Sequence, residues 1–187
     1  FPLWSKYRGQ PISRSLPNTT REGTKMTISV GDKLPDAQLL QMGPNGAEAV
    51  SLAAKLKGRK VVIFGLPGAY TGTCTTSHVP SFMRTKPKFD AKGVDEIICI
   101  AVNDPFVMKA WGESTGATAA GLTFLGDSNS EFTKAVGMEL NVPNLGFINR
   151  LKRFSLYAED GVVKVYNHGQ ETNACEISGG ETLLAQI

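Results

Sequence analysis

The segment running from Phe64 through Pro67, Thr71 and Cys74 to His78 holds the residue types best able to do chemistry. An apolar run ends, a loop of glycine, proline and small residues follows, and Cys74 enters the next helix in its first turn. The N–H groups of a first turn have no helical partners, and the helix macrodipole favours negative charge there. A thiolate is therefore stabilised over a thiol at this position, and the thiolate is the nucleophile. Cys74 reads as a reactive thiol at the end of a strand, where open α/β sheets bind their ligands. The competing reading is a buried, inert cysteine, the ordinary fate of this residue.

The chain has three cysteines in all. An odd number at wide spacing, with no Cys-x-x-Cys, is not a secreted disulfide framework and fits a reducing compartment. Cys99 stands inside Ile97-Ile98-Cys99-Ile100, where a small buried side chain is the plain reading. Cys175 ends the polar stretch from Asn167, read as an exposed loop before the last helix. His78 lies one helical turn after Cys74, and His168 with Cys175 could complete a zinc tetrahedron around that pair. Nothing else has zinc-ligand spacing, so no metal is assigned and His78 is expected to pack beside the site.

These residues need strands and helices to position them, and the pattern after Met26 alternates the two. Leu39–Met42 and Glu48–Leu52 flank Gly43-Pro44-Asn45-Gly46, which predicts an opening hairpin. Lys60–Leu66 and Glu96–Val102 are short apolar runs rich in β-branched residues, as in strands buried on both faces. A helix over about Cys74 to Phe89 lies between them. Asp104-Pro105 reads as an N-cap followed by proline in the first turn of a helix reaching about Glu113. Thr123–Leu125 is a brief strand and Ser130–Val136 a helix. Arg153–Ala158 and Val162–Asn167 form a hairpin across Asp160-Gly161. Ser178 and Glu181 form a capping box ahead of a terminal helix. The sum is one α/β domain with a mixed sheet and helices on both faces.

Charge divides the 187 residues unequally. Five of the 20 lysines and arginines but only one of the 17 acids fall in residues 1–25, leaving 15 bases and 16 acids for the rest. A body without a basic surplus has little to offer nucleic acid. The longest apolar run, Val61 to Tyr70, is broken by Gly65, Pro67 and Gly68, so no membrane span is read. Residues 1–25 are basic, rich in Ser, Thr and Pro, and without sustained amphipathic period. They read as a flexible arm, either the remnant of an organelle-targeting segment or sequence added for expression, with the folded domain at 26–187.

Pro67-x-x-x-Thr71-x-x-Cys74 resembles the active-site signature of the peroxiredoxins, thiol peroxidases built on a thioredoxin-like fold. Lys92–Asp95, Val102–Val107 with Trp111, Leu151–Ser155 and Glu159–Gly161 extend the likeness to the type II, or atypical two-cysteine, members over about residues 26–187. The resemblance implies that Cys74 attacks the terminal peroxide oxygen and becomes a sulfenic acid, without metal, haem or flavin. It implies that Thr71 hydrogen-bonds the peroxide, Arg153 stabilises the thiolate and leaving oxygen, and Pro67 shields the sulfur. The resolving thiol would be Cys175, as in animal-type members, or Cys99, as suspected in plant-type members, unless an external thiol serves. Of the two, exposure favours Cys175. Thioredoxin or glutaredoxin would reduce the bridge, and a homodimer pairing through loops near the site is expected. Without the resemblance, Arg153 would read as part of a solvated basic face at 150–153, Thr71 as a cap or turn hydroxyl, and Pro67 as a loop rigidifier. Gly72 departs from the Thr-Pro of many relatives.

Overall fold

The computed structural model describes residues 27–169 and 174–187. The arm expected at 1–25 lies outside the described residues, as do residues 170–173 of the polar stretch before Cys175. The chain opens with the hairpin β1 (Gln38–Gly43) and β2 (Gly46–Ser51), then a one-turn helix α1 (Leu52–Leu56) and strand β3 (Lys60–Gly65). A five-residue π-helical turn, Cys74–His78, leads into α2 (Val79–Ala91), followed by β4 (Glu96–Ala101) and α3 (Pro105–Ser114). Next come β5 (Thr123–Gly126), α4 (Glu131–Ala135) and the short strands β6 (Glu139–Val142) and β7 (Phe147–Leu151). The hairpin β8 (Phe154–Glu159) and β9 (Val162–His168) and the helices α5 (Ala174–Ile177) and α6 (Gly180–Leu184) close the chain.

The main sheet has seven strands in the order β2-β1-β5-β4-β3-β8-β9. Its centre, β3, β4 and β5, is parallel, and antiparallel neighbours flank it. Successive strand side chains point to opposite faces. Val61, Ile63, Ile98, Ile100 and Leu156 therefore pack on one side with Leu52, Leu56 and Phe132. Val62, Phe64, Ile97, Cys99 and Tyr157 pack on the other with Phe82, Phe89, Met108, Trp111 and Leu183. This explains why β3 and β4 read as unbroken apolar runs. Both faces are covered, and no outward polar position interrupts them.

Most elements fall where the pattern predicts. Asp104 caps α3, accepting from Val107 N–H at 2.9 Å, with Pro105 in the first turn. Asp160 and Gly161 both take positive φ, 48° and 77°, as a tight two-residue turn requires. Several features differ, among them the following. The helix at Cys74 opens as a π-turn rather than an α-turn. The terminal helix has Gly179 at its N-cap with no side-chain cap hydrogen bond, so the expected capping box does not start it. Glu181 instead pairs with Arg84 across to α2 at 2.9 Å. Finally, β6 and β7 pair as a separate ribbon whose short, half-exposed strands carry no alternation strong enough to read. No helix of the described residues is long and apolar enough to cross a membrane.

Candidate active site

The parallel strand β3 runs out at Gly65, and the loop Pro67–Thr71 carries the chain to a helical run starting at Gly72. Tyr70 takes a left-handed φ of 61° there, a strained conformation for a bulky residue. The turn it makes sets Thr71 and then Cys74 at the mouth of the first helical turn. Cys74 is only 1% exposed and belongs to the core cluster on the α2 side of the sheet.

Arg153 reaches this sulfur from between β7 and β8. Its Nη2 donates to Cys74 Sγ at 2.9 Å, and its Nη1 is buried without a hydrogen bond. The backbone on either side is pinned: Lys152 N–H donates to Met138 O at 2.8 Å, and Gly169 N–H to Arg153 O at 3.1 Å. The β6–β7 ribbon thus aims the guanidinium inward. The sulfur thus receives a charged hydrogen-bond donor directly.

Thr71 Oγ1 donates to Gly68 O at 2.7 Å, so its single hydroxyl proton is committed and its lone pairs are what it can offer a ligand. Its carbonyl accepts from both N–H and Oγ1 of Thr75, and Trp111 Nε1 donates to that same Oγ1 at 3.2 Å. Pro67 O accepts from Arg150 Nη1 at 3.2 Å, and Ala69 N–H donates to Asn103 Oδ1 at 3.0 Å. A Cβ at Gly68 would lie 2.6 Å from Arg150 Nη1, so the absence of a side chain lets the guanidinium close over the loop. Arg150 also rests on the Phe147 ring at 5.4 Å. Sequence reasoning placed Arg150 on a solvated face and gave Asn103 no role; nothing local in sequence ties either residue to a loop far away in the chain.

Of the four residues singled out, the structure sets Arg153 on Cys74, with Thr71 one turn ahead of the sulfur in the loop that begins at Pro67. Cys99 is fully buried in β4 on the same face as Cys74. Burial pushes its thiol well above the ordinary value, the neighbouring Cys74 adds to this, and Arg153 opposes it. The backbone of Cys175 lies in α5 rather than in the open loop expected. His78 packs beside the site, its ring edge-on to Phe64 and Phe82. Burial first, and the Arg153 charge second, hold it down at about 3 despite an opposing hydrogen bond, so it is neutral near pH 7. Its Nε2 donates to Ser178 O at 3.0 Å. His168 is exposed at the end of β9, paired across the hairpin with Phe154. Among the described residues no group of three His, Cys, Asp or Glu side chains could hold a metal.

A thiol held under a guanidinium at a strand end, on a thioredoxin-like sheet, defines a thiol-dependent oxidoreductase. The Redoxin family model matches residues 29–184. The chain is 45% identical to the chloroplastic peroxiredoxin-2E-2 of Oryza sativa subsp. japonica, over 86% of this chain and 73% of that relative. It is 40% identical to the mitochondrial peroxiredoxin-2F of Arabidopsis thaliana, over 89% and 83%. Among solved structures, reduced Prx3 of Vibrio vulnificus in complex with hydrogen peroxide superposes with a TM-score of 0.79 at 37% identity, covering 86% of this chain and 99% of that one. The chain belongs to the type II peroxiredoxins. It is a peroxidase of the oxidoreductase class.

Proposed function

We propose that Cys74 is the peroxidatic thiol and that it reduces hydrogen peroxide and alkyl hydroperoxides. The observation that carries this is the hydrogen bond of 2.9 Å from Arg153 to a sulfur only 1% exposed. Sulfur attacks the terminal peroxide oxygen, the O–O bond breaks, and Cys74 becomes a sulfenic acid. The departing alkoxide or hydroxide takes a proton from solvent and leaves as alcohol or water. Arg153 stabilises the charge as it moves from sulfur to the leaving oxygen. Its unpaired Nη1 is a donor waiting beside the sulfur. Thr71, whose hydroxyl donates its hydrogen bond to Gly68 O, accepts a hydrogen bond from the peroxide O–H. Pro67 walls the loop side of the sulfur from water.

Cys175 then resolves the sulfenic acid as a disulfide, releasing water. Against Cys99 stands its fully buried thiol, because exchange chemistry needs a thiolate. For Cys175 stands its position beside exposed Glu176 and Ile177, just ahead of α6, which lies against α2. Thioredoxin or glutaredoxin restores both thiols. Large apolar residues are left exposed on the loop before Cys74 (Tyr70), at the start of α3 (Phe106) and on the β6–β7 ribbon (Leu145 and Ile148), which favours pairing of two copies through these segments. The basic arm, with relatives named chloroplastic and mitochondrial, favours an organelle as the working compartment.

The test is peptide mass spectrometry under non-reducing conditions after one equivalent of hydrogen peroxide. A rapid Cys74–Cys175 bridge is expected, lost in both Cys74→Ser and Cys175→Ser, with Cys175→Ser still oxidised once at Cys74. A Cys74–Cys99 bridge would transfer the resolving role. Cys74 left reduced while peroxide persists would overturn the assignment.

A further inference from the structure

His78 is the titratable side chain of the Phe64–His78 segment, other than Cys74 and Tyr70, and the peroxide step leaves it unused. It closes the π-turn that Cys74 opens, is fully buried, and sends its Nε2 proton to the carbonyl of Ser178 at 3.0 Å. The Ser178 hydroxyl lies 3.3 Å from the same nitrogen. Ser178 follows directly on α5, the helix whose backbone includes Cys175. One turn further along, Ser81 Oγ accepts from Gly180 N–H at 3.0 Å, and Gly180 sits so close to α2 that a Cβ would lie 2.7 Å from Ser81 O. A short stretch of each segment is thus buttoned to the other, next to a cysteine in each.

We infer that His78 is a positioning residue for disulfide formation: it pins the segment bearing Cys175 to the end of the turn bearing Cys74. The inference rests on the reading that Cys175 resolves. To bridge, Cys74 must leave its pocket, because a disulfide needs Cα atoms within about 7 Å. With His78 and Ser178 held together, only the chain from 74 to 78 and from 175 to 178 has to rearrange. Fully extended, those stretches span about 14 Å and about 10 Å, enough for the two sulfurs to meet with the rest of α2 still folded. The pin therefore keeps the second thiol at high effective concentration while the first turn opens. The ring stays neutral and a donor across the working pH range, and its contacts with Phe64 and Phe82 keep it seated when the turn ahead of it unwinds.

The experiment separates the two oxidation steps. Stopped-flow fluorescence of Trp111, which is bonded to Thr75 in the same turn, follows the first oxidation by hydrogen peroxide. Acid quench, alkylation and mass spectrometry follow the Cys74–Cys175 bridge. His78→Leu is expected to slow bridging by about fivefold to tenfold, the scale of one lost buried hydrogen bond, while first oxidation stays within about twofold. Sulfinic acid accumulates at Cys74 because the sulfenic acid lives longer. His78→Gln, whose amide can reach the Nε2 position, restores bridging. Amide exchange at 178–184 quickens in the Leu variant while the later turns of α2 are unaffected. Should His78→Leu not fold, Ser81→Ala, which removes the neighbouring button, is expected to give the same slow bridging. Unchanged bridging in a folded variant, or equal slowing in Leu and Gln variants, overturns the positioning role. If the wild-type protein forms no Cys74–Cys175 bridge, the resolving role of Cys175 fails first and the positioning role falls with it.

Discussion

Arg153 shows what a single residue contributes here, because it puts positive charge on a sulfur shut away from water. Replacing it by Lys keeps the charge but loses the fork that lets one nitrogen hold sulfur while the other stays free. Replacing it by Met loses both. First oxidation of Cys74 is expected to fall by about 10²-fold to 10³-fold in Arg153→Met, the usual loss when one preorganised donor is removed from a developing anion, and by less in Arg153→Lys. Single-turnover kinetics with hydrogen peroxide measure this directly; a loss under fivefold in Arg153→Met would mean that the guanidinium acts on structure alone. Cys74 and its place at a strand end were legible from residue type and spacing. Arg153 was not, since 79 positions separate it from the sulfur it touches, and only the family likeness singled it out. Arg150 escaped both routes: its partner is a backbone carbonyl, which leaves no mark in sequence.

At the scale of elements, the main strands announced themselves because burial on both faces leaves them no polar positions. Short, half-exposed strands such as β6 and β7 lacked that signature, although they aim Arg153. The π-turn was equally hidden, for its extra residue changes no residue type. Gly72 stands at the start of that helical run, and the structure gives it no steric reason to be glycine. A Cβ there meets nothing within 4 Å, and its φ is not positive. Gly72→Ala is therefore expected to stabilise the fold by about 0.5 to 1 kcal/mol, mostly by narrowing the unfolded ensemble and firming the first helical turn. The same firmness opposes unwinding, so bridging to Cys175 slows while first oxidation holds. Urea melts and quenched-oxidation mass spectra check the two halves; a destabilised variant would show that this turn depends on glycine after all.

For the whole molecule, the division of charge suggests which part of the chain folds. The Redoxin match begins at residue 29, and the first strand at Gln38. A chain starting at Met26 is expected to keep its melting temperature within a degree or two and its peroxide kinetics unchanged; loss of either would tie residues 1–25 to the folded domain. Acid stability tests the interior of that domain. His78 is held down at about 3 in the folded protein against an ordinary 6.5. Between those values the unfolded chain binds a proton there that the native protein refuses, so stability falls as pH drops below about 6.5, by up to about 1.4 kcal/mol per pH unit. The slope fades through pH 7 and is gone well above the ordinary value of 6.5. Arg153 faces the ring and Cys74 shares its helical run, so protonation would place a second cation in an already cationic pocket. His78→Gln cannot titrate, and its stability deficit relative to the native sequence should shrink steadily from pH 7 to pH 5. Glu96, which burial raises but its partners Lys55, Thr123 and Arg59 hold low on balance, and the exposed His168 are present in both proteins and cancel from the comparison. Urea unfolding at pH 7, 6 and 5 measures the gap. A gap that stays constant would mean the buried imidazole accepts its proton as readily as an exposed one, and the neutral hydrogen bond to Ser178 would then fail as the fixed point between the two cysteine segments.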